Sequence, residues 1–434
     1  MGILKKIFLT LCLFFYFYEV RLKGVPAVLS SRKIEMVILI LLFVINNRNG
    51  KVAFFKNLNR STILIYKKYF ISILVIWIYS IILAIINGRF AEGYVDAKNL
   101  GFYMAYSIVA PFFIWSIFDD AEHFCEVLSL VGVIQATFVY IISQSSGLRQ
   151  FLDSTLELDT LATYSMQSVK VFGVGARGAA GSVIMFLSVY SLGYLILRGK
   201  QEVSNFIFMM YILIASSMVG RTGFYFGIIL FLILIIHKVR LRISTKTMLK
   251  LMTTTSVLLI IAVTISPRIV ENKAIQERIG ITSSHLGADA VFSKTEPSFV
   301  SDFLSMSHPE LSLEWIVGSG HGRGISSSGA DIQNDMGYIQ RMYALGIIMA
   351  AFLYYTLYST FSRLAKKMEN QNIKKYYQLL LLFMFILELK EQFIYYYMLP
   401  AVNLIIGMLI IKQQNCITEL NSITIGEKCV NESL

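Results

Sequence analysis

The sequence predicts an all-α polytopic membrane protein with about twelve transmembrane helices, and three observations carry that prediction. Of its 434 residues, 56% are hydrophobic and 15% charged, with a mean hydropathy of +0.64, far more apolar than an ordinary soluble domain. The apolar residues gather in runs long enough to cross a hydrocarbon layer. The formal charge of +12 is concentrated in short connections between those runs, which is the pattern of cytoplasmic loops rather than of a nucleic-acid-binding surface.

The N-terminal "MGILKKIFLTLCLFFYFYEV" has the basic start and apolar stretch of a signal peptide. It lacks a clear small-residue cleavage site and more spans follow, so it reads as an uncleaved first helix at 4–20. Further apolar runs place spans at roughly 28–45, 69–87, 100–118, 124–142, 181–197, 205–219, 222–236, 249–266, 338–358, 376–392 and 394–411. The segments "NNRNGKVAFFKNLNRSTILIYKK", "RGKQEVS", "HKVRLRISTKTMLK" and "FSRLAKKMENQNIKK" are all basic and all fall on one face, the cytoplasmic one. Between the first two helices, however, Arg21, Lys23, Arg32 and Lys33 stand on the opposite side, against that rule. The chain, 1–434, reads as a single membrane domain. Both termini, including a tail at 412–434, lie inside, and two long loops, 143–180 and 267–337, lie outside.

In the larger loop, "PRIVENKAIQERIG" and "SFVSDFLSMSHPELSLEWIVG" space their apolar residues as short amphipathic helices do, with Trp315 as an interfacial anchor. Cys12 and Cys125 lie in or beside apolar runs and Cys416 and Cys429 in the tail, so no disulfide framework is implied.

Three outer segments carry unusual residues. In "NFIFMMYILIASSMVGRTGFYFGIILFLILII", Arg221 is the one charge in about thirty residues, too long a run for one span. Gly220 and Gly223 permit a tight reversal that brings Arg221 to a water interface. In "VFGVGARGAAGS", Arg177 precedes a helix starting near Ser182; an arginine at a helix N-terminus makes an anion site. The third is "VGSGHGRGISSSGADIQNDMGYIQRMYALG", with Gly320, His321, Gly322, Arg323, Asp335 and Arg341, whose glycines let backbone N–H groups approach a ligand.

Plainer readings stand beside these. A tip arginine can snorkel to lipid phosphates, His321 can be a solvated loop residue, and Asp335 can cap the helix beginning at Met336 or Gly337. The "GSGHGRG" run lacks the βαβ context of a dinucleotide loop, and no metal-ligand spacing such as HExxH occurs. Late in the chain, "FILELKEQFIYYYMLP" interrupts the penultimate span with Glu388, Lys390 and Glu391. Charges there contact a ligand, pair between spans or form a turn.

The pieces "VGRTG" on a hairpin, "GARG" before a helix, "GSGHGRG…NDMGYIQRMYALGII" and "LKEQFIY" together resemble the bacterial O-antigen and capsule polymerases of the Wzy type, and more distantly the O-antigen ligases. In the ligases a histidine followed by asparagine precedes the helix after the large loop; Asp335 in "NDMGYI" favours the polymerase. The resemblance implies a metal-independent, cofactor-free glycosyltransferase of GT-C type in the bacterial inner membrane. It would work on undecaprenyl-pyrophosphate-linked oligosaccharide at the periplasmic face, amid membrane lipids and alongside a chain-length regulator, with no nucleic acid. It further implies that Arg177 and Arg221 bind pyrophosphate, that Asp335 orients or deprotonates the attacking hydroxyl, and that Gly320, His321, Gly322, Arg323, Arg341, Lys390 and Glu391 shape the substrate site. A ligase, or a flippase for lipid-linked oligosaccharide, is the alternative.

The charge pattern makes a topological prediction. Single cysteines placed in a cysteine-free background at 147–170 or 294–307 should react with an impermeant maleimide added outside, and those at 51–68 or 366–375 should not. Strong outside labelling within 51–68 would overturn the map.

Overall fold

The computed structural model describes residues 3–26, 29–48, 60–88, 96–157, 173–175, 178–200, 202–240, 313–321, 336–394 and 398–431. Among these the chain is helical and forms no β-strand. Five helical segments are long and apolar enough to cross a bilayer: Arg60–Ile86, Asp96–Ile117, Ala121–Gln144, Gly178–Leu197 and Gly337–Lys366. Val203–Val219 and Thr222–Ile236 are shorter and also apolar. This is an all-α, multi-pass membrane architecture. The span expected at 249–266 lies outside the described residues, as does most of the loop at 267–337.

The chain divides into two compact units, one of residues 1–36 and 125–306, the other of 37–124 and 307–434. The first contains α1 (Ile3–Phe17), the start of α2 (Ser31–Arg48), most of α6 (Ala121–Gln144), α7 (Ser146–Thr155), α8 (Gly178–Leu197), α9 (Glu202–Val219) and α10 (Arg221–Arg240). Its centre is α8, where every residue from Gly181 to Ile196 is buried. A helix apolar on all sides has no face for water, and here protein rather than lipid covers it. Small residues set the crossings: a Cβ on Gly132 of α6 would lie 2.3 Å from Cβ of Ser188 in α8, and one on Gly227 of α10 would lie 2.3 Å from Leu213 of α9.

The basic residues that broke the charge rule have local work. Arg32 donates from Nε to the Tyr16 carbonyl (2.8 Å) and from Nη2 to that of Phe17 (3.2 Å), the last turn of α1, while Nη1 pairs with Glu19 at 2.8 Å. A cation at a helix C-terminus satisfies carbonyls that have no partner within the helix. Lys23 donates its backbone N–H to Thr155 at the end of α7. The loop expected at 143–180 thus begins with a helix, and that helix holds the α1–α2 connection.

The second unit contains α3 (Arg60–Ile86), α4 (Asp96–Met104), a π-helical turn (Ala105–Val109), α5 (Ala110–Ile117), α11 (Leu313–Val317), α12 (Gly337–Lys366), α13 (Gln371–Glu388) and α14 (Met398–Asn431). The π turn precedes Pro111, whose missing N–H leaves a carbonyl of the preceding turn without its usual bond. On α3, Leu64, Ile71, Val75, Ile78, Ile82 and Ile85 are exposed while Ile65, Tyr69, Ile73, Ile76 and Leu83 on the other face are buried. An apolar stripe turned outward along a helix this long suits lipid and not water. The last helix runs without a break to Asn431, through most of the stretch expected as a tail.

Gly223 offers a test of the packing. A Cβ there would sit 1.8 Å from the Ser182 carbonyl oxygen, so the backbones of α8 and α10 must part to admit it. Alanine in a helix normally stabilises relative to glycine, but here Gly223→Ala should destabilise by about 1–3 kcal/mol through overpacking. Thermal unfolding in nanodiscs reads the sign. Gly147→Ala, where nothing lies within 4 Å of the added carbon, serves as the control.

Candidate functional site

In the first unit, α9 and α10 form the predicted hairpin, joined by Gly220 alone, and Arg221 is the first residue of α10. The reason for the glycines differs from the sequence reading. Neither Gly220 nor Gly223 takes a positive φ, so no turn requires them. They are close-approach glycines: a Cβ on Gly220 would lie 2.5 Å from the Gly178 carbonyl oxygen. The first turns of α8 and α10 therefore lie side by side. Ser182 of α8 fastens them, its Oγ accepting from the Gly223 N–H at 3.0 Å and donating to the Ala179 carbonyl at 2.8 Å.

The segment leading into α8 is also pinned. The Gln135 side chain, fully buried on α6, donates to the Val174 carbonyl (3.2 Å) and accepts from the Val174 N–H (3.3 Å). Gly175, at φ +87°, lies against the Tyr18 carbonyl, where a Cβ would come within 2.1 Å. Two positive helix ends are held together, each with an arginine in the sequence at its start, Arg177 immediately before Gly178 and Arg221 opening α10. Arg177 lies outside the described residues, as does the Arg221 side chain.

The second unit holds a buried polar cluster. α12 begins at Gly337, with Met336 in the capping position; Asp335 lies outside the described residues. Nine residues on, α12 is interrupted at Gly346 (φ 78°, ψ 157°). The Tyr343 and Ala344 carbonyls there accept from the N–H groups of Ser319 (2.7 Å) and Gly320 (3.0 Å). The Gly320 carbonyl in turn accepts from the Asp96 N–H at 3.0 Å. Asp96, fully buried at the start of α4, receives Arg341 Nη1 on Oδ1, with Ser80 at 3.4 Å from Oδ2, and Arg341 Nη2 donates to Gln392 Oε1.

Glu388, also fully buried, accepts from the Ile394 N–H (2.9 Å) and the Tyr354 hydroxyl (3.1 Å). It closes the reversal between α13 and α14, replacing the side-chain neighbours it would have had in a continued helix. A Cβ on Gly337 would lie 2.4 Å from its Oε1, so α12 starts directly against it.

Of the residues expected to contact substrate, Gly320, His321, Arg341, Lys390 and Glu391 are described. His321 is 5% exposed, not solvated, with its N–H on Ser319 Oγ at 3.1 Å. Arg341 is fully buried and committed to Asp96 and Gln392, so it serves a ligand only through what it positions. Lys390 is exposed and Glu391 half-buried on the reversal after α13. Gly322 and Arg323 lie outside the described residues. Asp96 and Gln135 escaped the sequence reading. Gln135 was visible as a lone amide in the apolar run "VGVIQATFVYII", and Asp96 as a carboxylate a few residues ahead of a span.

Compared with known protein families, curated proteins and solved structures, the chain matches none. Its chemistry is therefore read from its own residues.

The Asp96–Arg341 pair makes a sharp prediction. Removing one partner of a buried pair leaves an uncompensated charge, so Arg341→Met should cost about 3–5 kcal/mol. In the double variant Asp96→Asn/Arg341→Met most of that loss should return, read by thermal unfolding in nanodiscs. Additive losses would mean that the two side chains are not coupled.

Proposed function

We propose that the chain is a surface-polysaccharide polymerase of GT-C type. It transfers the growing glycan from undecaprenyl pyrophosphate to a hydroxyl of the next lipid-linked repeat unit, at the periplasmic face of a bacterial inner membrane. The observation that carries the reading is the pair of adjoining helix N-termini at α8 and α10, each with an arginine at its start. Departure of a pyrophosphate leaves negative charge on its oxygens, and fixed helix ends together with guanidinium forks stabilise it where it develops. Arg177 and Arg221 take that role. Asp335 orients or deprotonates the attacking hydroxyl, and the 318–323 run, Lys390 and Glu391 border the sugar, with Arg341 and Asp96 as their support. In the full reading the chain crosses the membrane about twelve times with both termini inside.

One observation favours a transporter for the same lipid-linked oligosaccharide: a helix broken within its length, as α12 is at Gly346, is common in carriers. In carriers the freed carbonyls serve a moving ion. Here the Tyr343 and Ala344 carbonyls are taken by Ser319 and Gly320 of the same chain, which suits a fixed scaffold.

The test is a gel of surface polysaccharide from a deletion strain complemented with variants. Loss of polymerase leaves a single capped repeat unit, loss of a ligase leaves no capped core, and loss of a flippase accumulates inner-leaflet carrier. Arg221→Lys should collapse the ladder of chain lengths despite keeping the charge, because an ammonium does not reproduce a bidentate grip on phosphate. A wild-type ladder from Arg221→Lys at normal abundance would remove Arg221 from the pyrophosphate site.

A further inference from the structure

Away from these residues, near the start of α3 and the end of α12, a groove of about 270 Å³ opens between the two helices. One wall carries Lys68 and Ser72, the other Thr356, Ser359, Thr360 and Arg363. Two cations and the hydroxyls of four serines and threonines face one space, and no carboxylate lines it. Neither Lys68 nor Arg363 makes an ion pair among the described residues, whereas Lys6, Arg21, Arg32 and Arg341 all do. Like charges across a cavity repel unless an anion lies between them, and hydroxyl and guanidinium donors together suit phosphate oxygens.

The groove also has an apolar side. Ile71 and Tyr355 line it and are 45% and 62% exposed, and Ile71 continues into the outward stripe of Val75 and Ile78 on α3. A free anion has no use for that side, but an acyl chain does. The depth agrees: Lys68 stands eight residues into α3, about 12 Å from its start, and Arg363 three residues before the end of α12. This is the basic end of both helices, where the sequence places the cytoplasmic face and where anionic headgroups gather. The Lys367 ammonium on Ser61 holds the two helix ends together beside it.

We propose that this groove is a binding site for one anionic phospholipid of the cytoplasmic leaflet, its phosphate between Lys68 and Arg363 and its chain along Ile71 and Tyr355.

The test uses the purified full chain in phosphatidylcholine nanodiscs titrated with labelled phosphatidylglycerol. Lys68→Gln/Arg363→Gln should weaken retention of the label roughly tenfold or more, since each basic group near an anionic surface contributes on the order of 1 kcal/mol. Lys67→Gln/Lys366→Gln removes the same charge from the same belt outside the groove and should change retention little. The charge-preserving Lys68→Arg/Arg363→Lys should keep it, and Ser359→Ala alone should lower it. Unchanged unfolding midpoints in pure phosphatidylcholine show that each variant is folded. Equal loss from both glutamine pairs would overturn the site in favour of ordinary snorkelling. Displacement of the label by millimolar inorganic phosphate would overturn the lipid in favour of a free anion.

Discussion

The break of α12 at Gly346 strips the Tyr343 and Ala344 carbonyls of their helical partners, and a membrane protein cannot leave such groups to water that is not there. Each unsatisfied group costs several kcal/mol in an apolar medium. The chain answers by bringing the N–H groups of Ser319 and Gly320 to those two carbonyls. Gly318 and Gly346 pass so closely that a Cβ on either would strike the other's segment, at 2.5 Å from the Leu345 carbonyl carbon and 2.3 Å from the Ile316 carbonyl oxygen. Because Gly320 then accepts from Asp96, and Asp96 holds Arg341, one backbone requirement fixes the run at 318–321, the start of α4 and the first half of α12 together.

The same accounting explains side chains elsewhere. Arg32 serves the end of α1, Ser182 the start of α10, and Gln135 both backbone groups of Val174. None of these is a surface charge or a generic core residue. Each is a polar side chain that serves main-chain groups, Arg32 pairing with Glu19 besides, and each sits where a helix begins, ends or receives an irregular segment. The apolar residues need less explanation. α8 is buried on every side, while 33% of the apolar window of α3 is buried against 89% of that of α8. The difference is that between a helix at the centre of its unit and one that meets lipid.

The apolar runs made the helices legible because a span is defined by composition over about twenty residues, which a sequence displays directly. The α9–α10 hairpin followed from a run too long for one helix with an arginine in its middle. What stayed hidden depended on pairings distant in sequence. Asp96 and Arg341 are 245 positions apart, and nothing local distinguishes an aspartate that will be buried from one that caps or solvates a loop. Glycines misled for a related reason. Gly223 reads as a turn residue beside Gly220, but its need arises from the approach of α8, which lies some forty residues earlier. His321 likewise reads as solvated because its neighbours are glycine and serine, residues that permit a loop to be buried as readily as exposed.

The charged residues sort by what holds them. Asp96, Arg341 and Glu388 are fully buried and committed to partners within the protein; they set positions and are poorly suited to meet a ligand whose charge changes during a reaction, because each would first have to release a partner in a medium of low dielectric. The arginine that opens α10, and the one that immediately precedes α8 in the sequence, belong to helix ends whose own dipoles already favour an anion. The pyrophosphate departure proposed above is best met by charge fixed in advance, which a helix end supplies. In the proposed function chemistry therefore falls to the first unit's helix starts, while the second unit's buried ions hold the scaffold around the glycine-rich run.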